Sequence, residues 1–296
     1  MKKTLIVIAG PTASGKTGLA IDIARHFQTE IISADSRQCY REMNIGVAKP
    51  TEAQLNSVPH HFISSHSVRD SLSAGLFVSY ATSHIHQIFE KKPVAVVCGG
   101  TGLYLKALLE GLDPMPPVDP KVEEEVQLGF DAGGTPWLIE QLQLVDPDFL
   151  NGKEKNNSAR LFRALCFARS QGESILHYRT GHSEKLPFEV MSFAIEHPRD
   201  ELYQRIALRT QQMLEDGLVQ EVESLIPFKE LRALHTVGYS ELFNYFDGLC
   251  SLEEAMNKVE QHTRNYAKRQ ITWFRNQGNY EWLPAEEIYS KLLKIR

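Results

Sequence analysis

Eight residues near the amino terminus, Gly10-Pro11-Thr12-Ala13-Ser14-Gly15-Lys16-Thr17, carry the pattern G-x-x-x-x-G-K-[ST]. The chemistry of that pattern is anion binding: glycines let the backbone wrap a phosphate, Lys16 supplies a point charge, and Thr17 offers a hydroxyl to Mg²⁺. Further chemistry-bearing residues follow at intervals. Asp35 closes the apolar run Glu30-Ile31-Ile32-Ser33-Ala34; it could hold Mg²⁺, serve as a general base, or simply cap a turn. Gln38 offers both a donor and an acceptor, which suits either a nucleobase edge or a plain surface amide. Thr101 stands between Gly100 and Gly102, where glycine permits close approach to a ligand or merely a tight turn. Arg205 and Arg209 are four residues apart, so on a helix they share a face from which guanidinium groups could fork onto a diphosphate.

A second class of candidate lies toward the carboxyl terminus. The segment Thr263–Arg275, TRNYAKRQITWFR, contains Arg264, Lys268, Arg269 and Arg275 with no acidic residue, interleaved with Tyr266, Trp273 and Phe274. Alternating cations and aromatics fit contact with an RNA backbone, and equally a core helix with a wet basic edge. Ser158–Leu165, which holds Arg160 and Arg163, presents the same ambiguity. The histidines have no metal-ligand spacing, His60 and His61 being adjacent. Cys39, Cys98, Cys166 and Cys250 are far apart and form no C-x-x-C pair, which argues against structural zinc and a disulfide framework.

The elements that must position these groups read as alternating strands and helices. Thr4–Ala9 is expected as a strand, Lys16–Phe27 as a helix, 30–34 as a second strand and 73–89 as a helix. A buried strand over 93–98 then runs into Gly99-Gly100-Thr101-Gly102 and a helix over 103–109. Apolar runs without alternation, linked by helices, imply a parallel sheet covered on both faces. Ligands bind such sheets beyond the carboxyl ends of the strands, where the glycine-rich loop, Asp35 and Thr101 all fall. Asp113-Pro114-Met115-Pro116-Pro117 breaks the pattern. The reading is therefore a two-part α/β core, 1–117 and 188–296, with a helical insertion domain at 118–187. Phe193-Ala194-Ile195 is read as a returning core strand. The remainder is read as helical, most firmly over 200–214, 218–225 and 252–275.

With 296 residues, 42% of them hydrophobic and 23% charged, the chain is expected to be an ordinary globular protein. Its net charge of −5 provides no global attraction to nucleic acid, so RNA contact has to be local. Lys2 and Lys3 lead directly into a strand, not an export signal, and no apolar run approaches a membrane span. A cytoplasmic location without membrane contact is the expectation.

Taken together, the ordered blocks resemble the bacterial tRNA dimethylallyltransferase (IPP transferase) family over nearly the whole chain. They are GPTASGKT at Gly10, SADSRQCYREMNIGVAKP at Ser33, VPHH at Val58, GGTGLYLKALLEGL at Gly99, Ser158–Leu165, RIALRTQQMLEDGLVQEV at Arg205, TVGYSEL at Thr236 and TRNYAKRQITWFR at Thr263. The resemblance implies a core like that of P-loop NTPases. It also implies transfer of a dimethylallyl group from dimethylallyl diphosphate to N6 of the adenosine 3′ to the tRNA anticodon. Gly10, Pro11, Thr12, Ala13, Ser14, Gly15, Lys16 and Thr17 would then hold the prenyl diphosphate instead of ATP, with Mg²⁺ at Thr17 and Arg209 on the leaving group. Asp35 would take the proton and Thr101 would position the reacting groups. Asp35, Ser36, Arg37, Gln38 and Thr101 would surround the acceptor base. Ala159, Arg160, Leu161, Phe162, Arg163, Lys268 and Arg269 would contact the anticodon stem-loop. A monomer is the expectation.

The sequence departs from the family pattern at Cys39, Glu42, Asn44 and Val47, and at Glu123, where the family commonly has an arginine. A zinc finger like that of eukaryotic relatives is missing. Judged on the loop residues alone, an ATP-dependent small-molecule kinase stays open. A non-catalytic RNA-binding protein fits less well with Lys16, Thr17 and Asp35 all present.

Overall fold

The run Thr4–Ala9 forms strand β1, and its successive side chains enter two different cores. Leu5, Val7 and Ala9 pack with Phe77, Ile85 and Leu105 on one face. Ile6 and Ile8 pack with Leu19, Ile23 and Ile195 on the other. A strand covered on both faces needs no polar alternation, which explains the unbroken apolar run. The computed structural model describes residues 2–181 and 186–294. From β1 the chain passes through the glycine-rich loop into α1 (Lys16–His26), then β2 (Ile31–Ser33), α2 (Glu52–Ser57) and β3 (His60–His61). After these come α3 (Ala74–Lys91), β4 (Val94–Gly99) and α4 (Gly102–Glu110).

Residues 111–119 are irregular, as the proline run dictates. The helices α5 (Pro120–Val145), α6 (Pro147–Leu150) and α7 (Ser158–Gln171) follow. Asp119 and Asn157 cap α5 and α7, and α5 breaks at Gly134 (φ 62°), two residues before Pro136. The chain divides into two compact units, Met1–Leu109 with Lys185–Arg296, and Glu110–Glu184. The second has its own core, in which Val126, Leu138, Leu142, Leu161, Leu165 and Phe167 meet.

The returning chain forms β5 (Glu189–Ile195), α8 (Arg199–Glu215), α9 (Leu218–Ser224), α10 (Tyr239–Phe246), α11 (Leu252–Asn276), β6 (Glu281–Leu283) and α12 (Ala285–Leu292). Ser251 opens α11 with a capping box closed by Glu254. All strand pairs are parallel, in the order β3-β2-β4-β1-β5-β6. The parallel sheet with helical flanks is thus as read from the sequence. The expectation that the remainder after Phe193-Ala194-Ile195 is helical needs correction, because β6 adds an edge strand beside β5, pairing Ala194 with Trp282. At three residues β6 is too short to show a period, and its pairing partner decides its conformation. The two-residue β3 escapes for the same reason.

At the carboxyl ends of the strands, backbone approaches backbone closely. A Cβ built on Gly99 would lie 2.1 Å from the Ala34 carbonyl oxygen, so β2 and β4 can keep their register only with glycine there. Gly99→Ala is expected to lower unfolding stability by about 1–3 kcal/mol, the usual range for an overpacked site. Gly18→Ala, where nothing lies within 4 Å of the new methyl group, should leave it unchanged or raised. Urea denaturation of the two variants checks the contrast.

Candidate active site

The loop between β1 and α1 turns through three residues of positive φ: Gly10 (142°), Ala13 (62°) and Gly15 (84°). Gly15, at the N-cap of α1, offers no side-chain cap, so the positive end of the helix faces the loop. Lys16 folds back, and its Nζ donates to the Pro11 carbonyl at 2.5 Å. Burial pushes the Lys16 ammonium down to about 8, with Asp35 opposing the shift and Arg209 adding to it.

Four side chains from the second half of the chain hold this loop. Arg205 Nε donates to the Ala13 carbonyl at 2.7 Å, and Arg209 Nη2 donates to Thr12 Oγ1 at 2.5 Å. Both arise from α8, where the spacing of four puts them on one face. His197 Nε2 bonds the Ser14 carbonyl at 2.8 Å, so that nitrogen carries the proton. Gln270 of α11 accepts from Thr12 N at 2.8 Å and donates to the Gly100 carbonyl at 2.9 Å. One amide thereby joins the anion loop to the turn after β4. Burial lowers the Arg209 guanidinium to about 10, with Asp35 opposing and Arg205 adding to the shift; it stays cationic at neutral pH.

A crevice of about 430 Å³ opens beyond the strand ends. Loop residues 12–17 line it together with Ser33, Asp35, Gln38, Arg205, Arg209 and Tyr266. Asp35 is the single carboxylate among the lining residues, against Lys16, Arg205 and Arg209. Its Oδ1 accepts from Arg37 N at 2.9 Å and from Gln38 N at 3.2 Å. The turn-capping role weighed for this aspartate is therefore real, and it uses one oxygen only. Burial raises Tyr266 and Cys98, each to about 12, so both stay protonated.

The other candidates fall variously. Thr101 Oγ1 accepts from Ser36 N at 3.0 Å, which ties it to the Asp35 segment, while Gly99 and Gly100 are the residues of that turn that line the crevice. Gln38 Nε2 donates to the Val47 and Ala48 carbonyls at 3.2 and 2.9 Å, so both amide hydrogens are engaged. Lys268 and Arg269 are exposed; Lys268 lies 5.9 Å from the Tyr203 ring and Arg269 5.7 Å from the Tyr266 ring. Ala159, Arg160, Leu161, Phe162 and Arg163 belong to the helical unit. There Arg160 pairs with Glu154, and Arg163 and Glu123 are exposed. Leu161 is fully buried in that unit's core, so its side chain has no surface to offer a ligand.

The sequence reading missed Gln270 and His197. Gln270 had a signal: it shares the buried stripe Ala267, Gln270, Phe274 of α11, and a polar residue on an apolar stripe is one with a buried partner. His197, in a loop, had none.

Thr17, Ser33 and Asp35, each with a side-chain oxygen, are among the residues lining the crevice, a hard donor set that suits Mg²⁺. Ser14 Oγ is buried with no hydrogen-bond partner, a further oxygen beside the same loop. Among the described residues no cluster of three or more His, Cys, Asp or Glu could hold a metal ion alone. An ion here would accordingly share its coordination with ligand oxygens, as Mg²⁺ does at phosphate sites.

A parallel sheet with this loop at the end of β1 defines an α/β protein with a core of the P-loop type. The chain belongs to the IPP transferase family, whose profile matches residues 38–277. It is 42% identical over 287 residues to the tRNA dimethylallyltransferase of Christiangramia forsetii, covering 97% of this chain and 95% of the relative. The tRNA dimethylallyltransferase of Cytophaga hutchinsonii is 40% identical over 288 residues, with the same coverage of 97% and 95%. The crystal structure of the full-length tRNA isopentenylpyrophosphate transferase from Bacillus halodurans superposes with a TM-score of 0.72 at 32% identity, covering 99% of this chain and 96% of that one. The kinase alternative finds no support in these relatives.

With Lys16 lowered to about 8, the free protein loses this positive charge as pH rises through that value. Affinity for inorganic diphosphate should therefore decline above about pH 8, by up to about tenfold per pH unit for one linked proton. Lys16→Met should bind more weakly and lose that component of the decline. Calorimetric Kd values for both proteins from pH 6.5 to about 9.5, a window set by the one-proton linkage, give the difference and cancel the anion's own titration.

Proposed function

We propose that this chain transfers the dimethylallyl group of dimethylallyl diphosphate to N6 of the adenosine 3′ to the tRNA anticodon, with release of diphosphate. The observation that carries the reading is one crevice in which Lys16, Arg205 and Arg209 face a single carboxylate, Asp35. That arrangement matches the charges of the reaction. The bond from the allylic carbon to the diphosphate oxygen breaks, and its electron pair leaves with the diphosphate. The new bond joins the same carbon to N6, and N6 gives up a proton.

The amides of residues 15–17 at the start of α1, with Lys16 and Arg209, stabilise the charge growing on the diphosphate as the allylic carbon becomes cationic. Mg²⁺, held by Thr17 and the diphosphate oxygens, would add Lewis-acid stabilisation of the same group. Asp35 takes the proton from N6. Its Oδ1 is fixed by two backbone amides, which leaves Oδ2 for the amine. Thr101 supports this by holding Ser36 N. The acceptor base enters from an anticodon loop already single-stranded, so extruding it costs a few kcal/mol at most.

RNA backbone contact falls to exposed cations, Lys268 and Arg269 on the core and Arg160 and Arg163 on the helical unit. Among the described residues no helix is long and apolar enough to cross a membrane.

Incubation with labelled dimethylallyl diphosphate and tRNA, followed by nucleoside mass spectrometry, should show a five-carbon group added to adenosine; labelled ATP with small acceptors should yield no phosphorylated product. Asp35→Asn should retain tRNA affinity and lose about 10²–10⁴ in kcat, the range for general-base catalysis; turnover equal to wild type would remove the base role. Lys268→Ala and Arg269→Ala should each flatten the salt dependence of tRNA affinity, by about 0.7 in log–log slope per lost single-strand phosphate contact.

A further inference from the structure

The segment Asn44–Ala48, which borders the crevice through Val47 and Ala48, is held by a side chain from far along the chain. Glu221 of α9 accepts on Oε2 from Asn44 N at 3.0 Å and Ile45 N at 2.8 Å, and on Oε1 from Gly46 N at 3.0 Å. Oε1 also accepts the Tyr239 hydroxyl at 2.6 Å. Tyr239 is fully buried, and its ring packs so closely on Gly46 that a Cβ there would lie 2.6 Å away. Lys49 holds the same segment from its other side, through the Tyr40 carbonyl at 2.6 Å and Asn44 Oδ1 at 3.0 Å.

This gathering of three successive amides fixes where the next two carbonyls point. Those carbonyls, of Val47 and Ala48, accept both hydrogens of the Gln38 amide. A carbonyl only accepts, so the nitrogen end of that amide is determined by its partners. What Gln38 has left for the crevice is Oε1, engaged among the described residues only by the Ser33 hydroxyl at a long 3.4 Å. An oxygen acceptor attracts the amino hydrogens of a 6-aminopurine. It opposes the lone pairs of a 6-oxopurine.

We propose that Glu221, seconded by Tyr239, is a positioning residue that locks Gln38 as a hydrogen-bond acceptor and so favours 6-aminopurine over 6-oxopurine at the acceptor position. The inference rests on the transferase reading above, and deepens it. With Glu221 replaced by glutamine, the amide NH₂ confronts backbone N–H groups. The segment then loosens and Gln38 can rotate to present either end.

The test uses RNA hairpins of anticodon stem-loop shape carrying adenosine or guanosine at the acceptor position, with wild type, Glu221→Gln and Tyr239→Phe. Fluorescence anisotropy gives Kd for each hairpin, steady-state kinetics give KM and kcat on the adenosine hairpin, and calorimetry gives Kd for inorganic diphosphate. Glu221→Gln should narrow the adenosine-over-guanosine preference about tenfold and raise KM by a similar factor, the scale of one charge-assisted hydrogen bond. Its kcat and its diphosphate affinity should stay near wild type. Tyr239→Phe should shift preference the same way by about two- to fivefold, the scale of a neutral hydrogen bond, and it carries the test if Glu221→Gln fails to fold. An unchanged preference, or diphosphate affinity falling in step with RNA affinity, would overturn the proposal. Failure of the wild type to add any five-carbon group would count against the transferase reading instead, while the ratio of hairpin Kd values would still decide the role of Glu221.

Discussion

Positive charge crowded at one end of a helix is the constraint around which this molecule is arranged. α1 begins without a side-chain cap, and Lys16, Arg205 and Arg209 converge on the loop that precedes it. Two of these cations are held where burial works against their charge. The chain keeps them together by giving each a neutral oxygen to donate to: the Pro11 carbonyl, the Ala13 carbonyl and the Thr12 hydroxyl. None of these partners cancels the charge, so the net field of the crevice remains positive and directed at an anionic ligand.

Holding such a loop requires residues from distant parts of the chain. Gln270 bridges Thr12 and Gly100 over 258 and 170 residues of sequence, and the absence of a side chain at Gly100 is what admits it, since a Cβ there would lie 2.3 Å from the Gln270 amide nitrogen. Gly99 does the same for the backbone of Ala34. The two glycines therefore serve packing between strand ends and helix α11, and through it the position of both the anion loop and Asp35. This is also why the double-glycine turn matters more to the site than the threonine that follows it, whose hydroxyl steadies Ser36 from one side.

The elements that could be read from sequence are those with a long signal of one kind. β1, β4 and the helices around them declare themselves through runs or periods longer than a turn, and the glycine-rich loop through an anion chemistry that few other patterns serve. Asp35 was legible as a strand-end carboxylate, and Arg209 as one of a pair on a helical face. What escaped is pairwise: β6 exists because β5 accepts it, Gln270 because two loops need one amide, and Glu221 because three consecutive amides need one carboxylate. Such partners are separated by more than eighty residues, and no local window contains both. The blocks SADSRQCYREMNIGVAKP and TVGYSEL, which looked independent in the sequence, meet at Gly46 and Tyr239.

The distribution of charge also bears on the order of events in group transfer. An exocyclic purine amine has its lone pair delocalised into the ring and is a poor nucleophile, so a mechanism in which it must push the diphosphate out would need a strong base beside it. The crevice provides one carboxylate, with one of its oxygens already committed to two amides. On the opposite side it provides two guanidinium groups, an ammonium and a helix start, all of which strengthen their hold as the diphosphate gains charge. The larger share of the stabilisation therefore falls on the leaving group. In the proposed reaction bond breaking would therefore lead, and Asp35 would act afterwards, taking a proton that becomes acidic only once nitrogen has begun to bond to carbon.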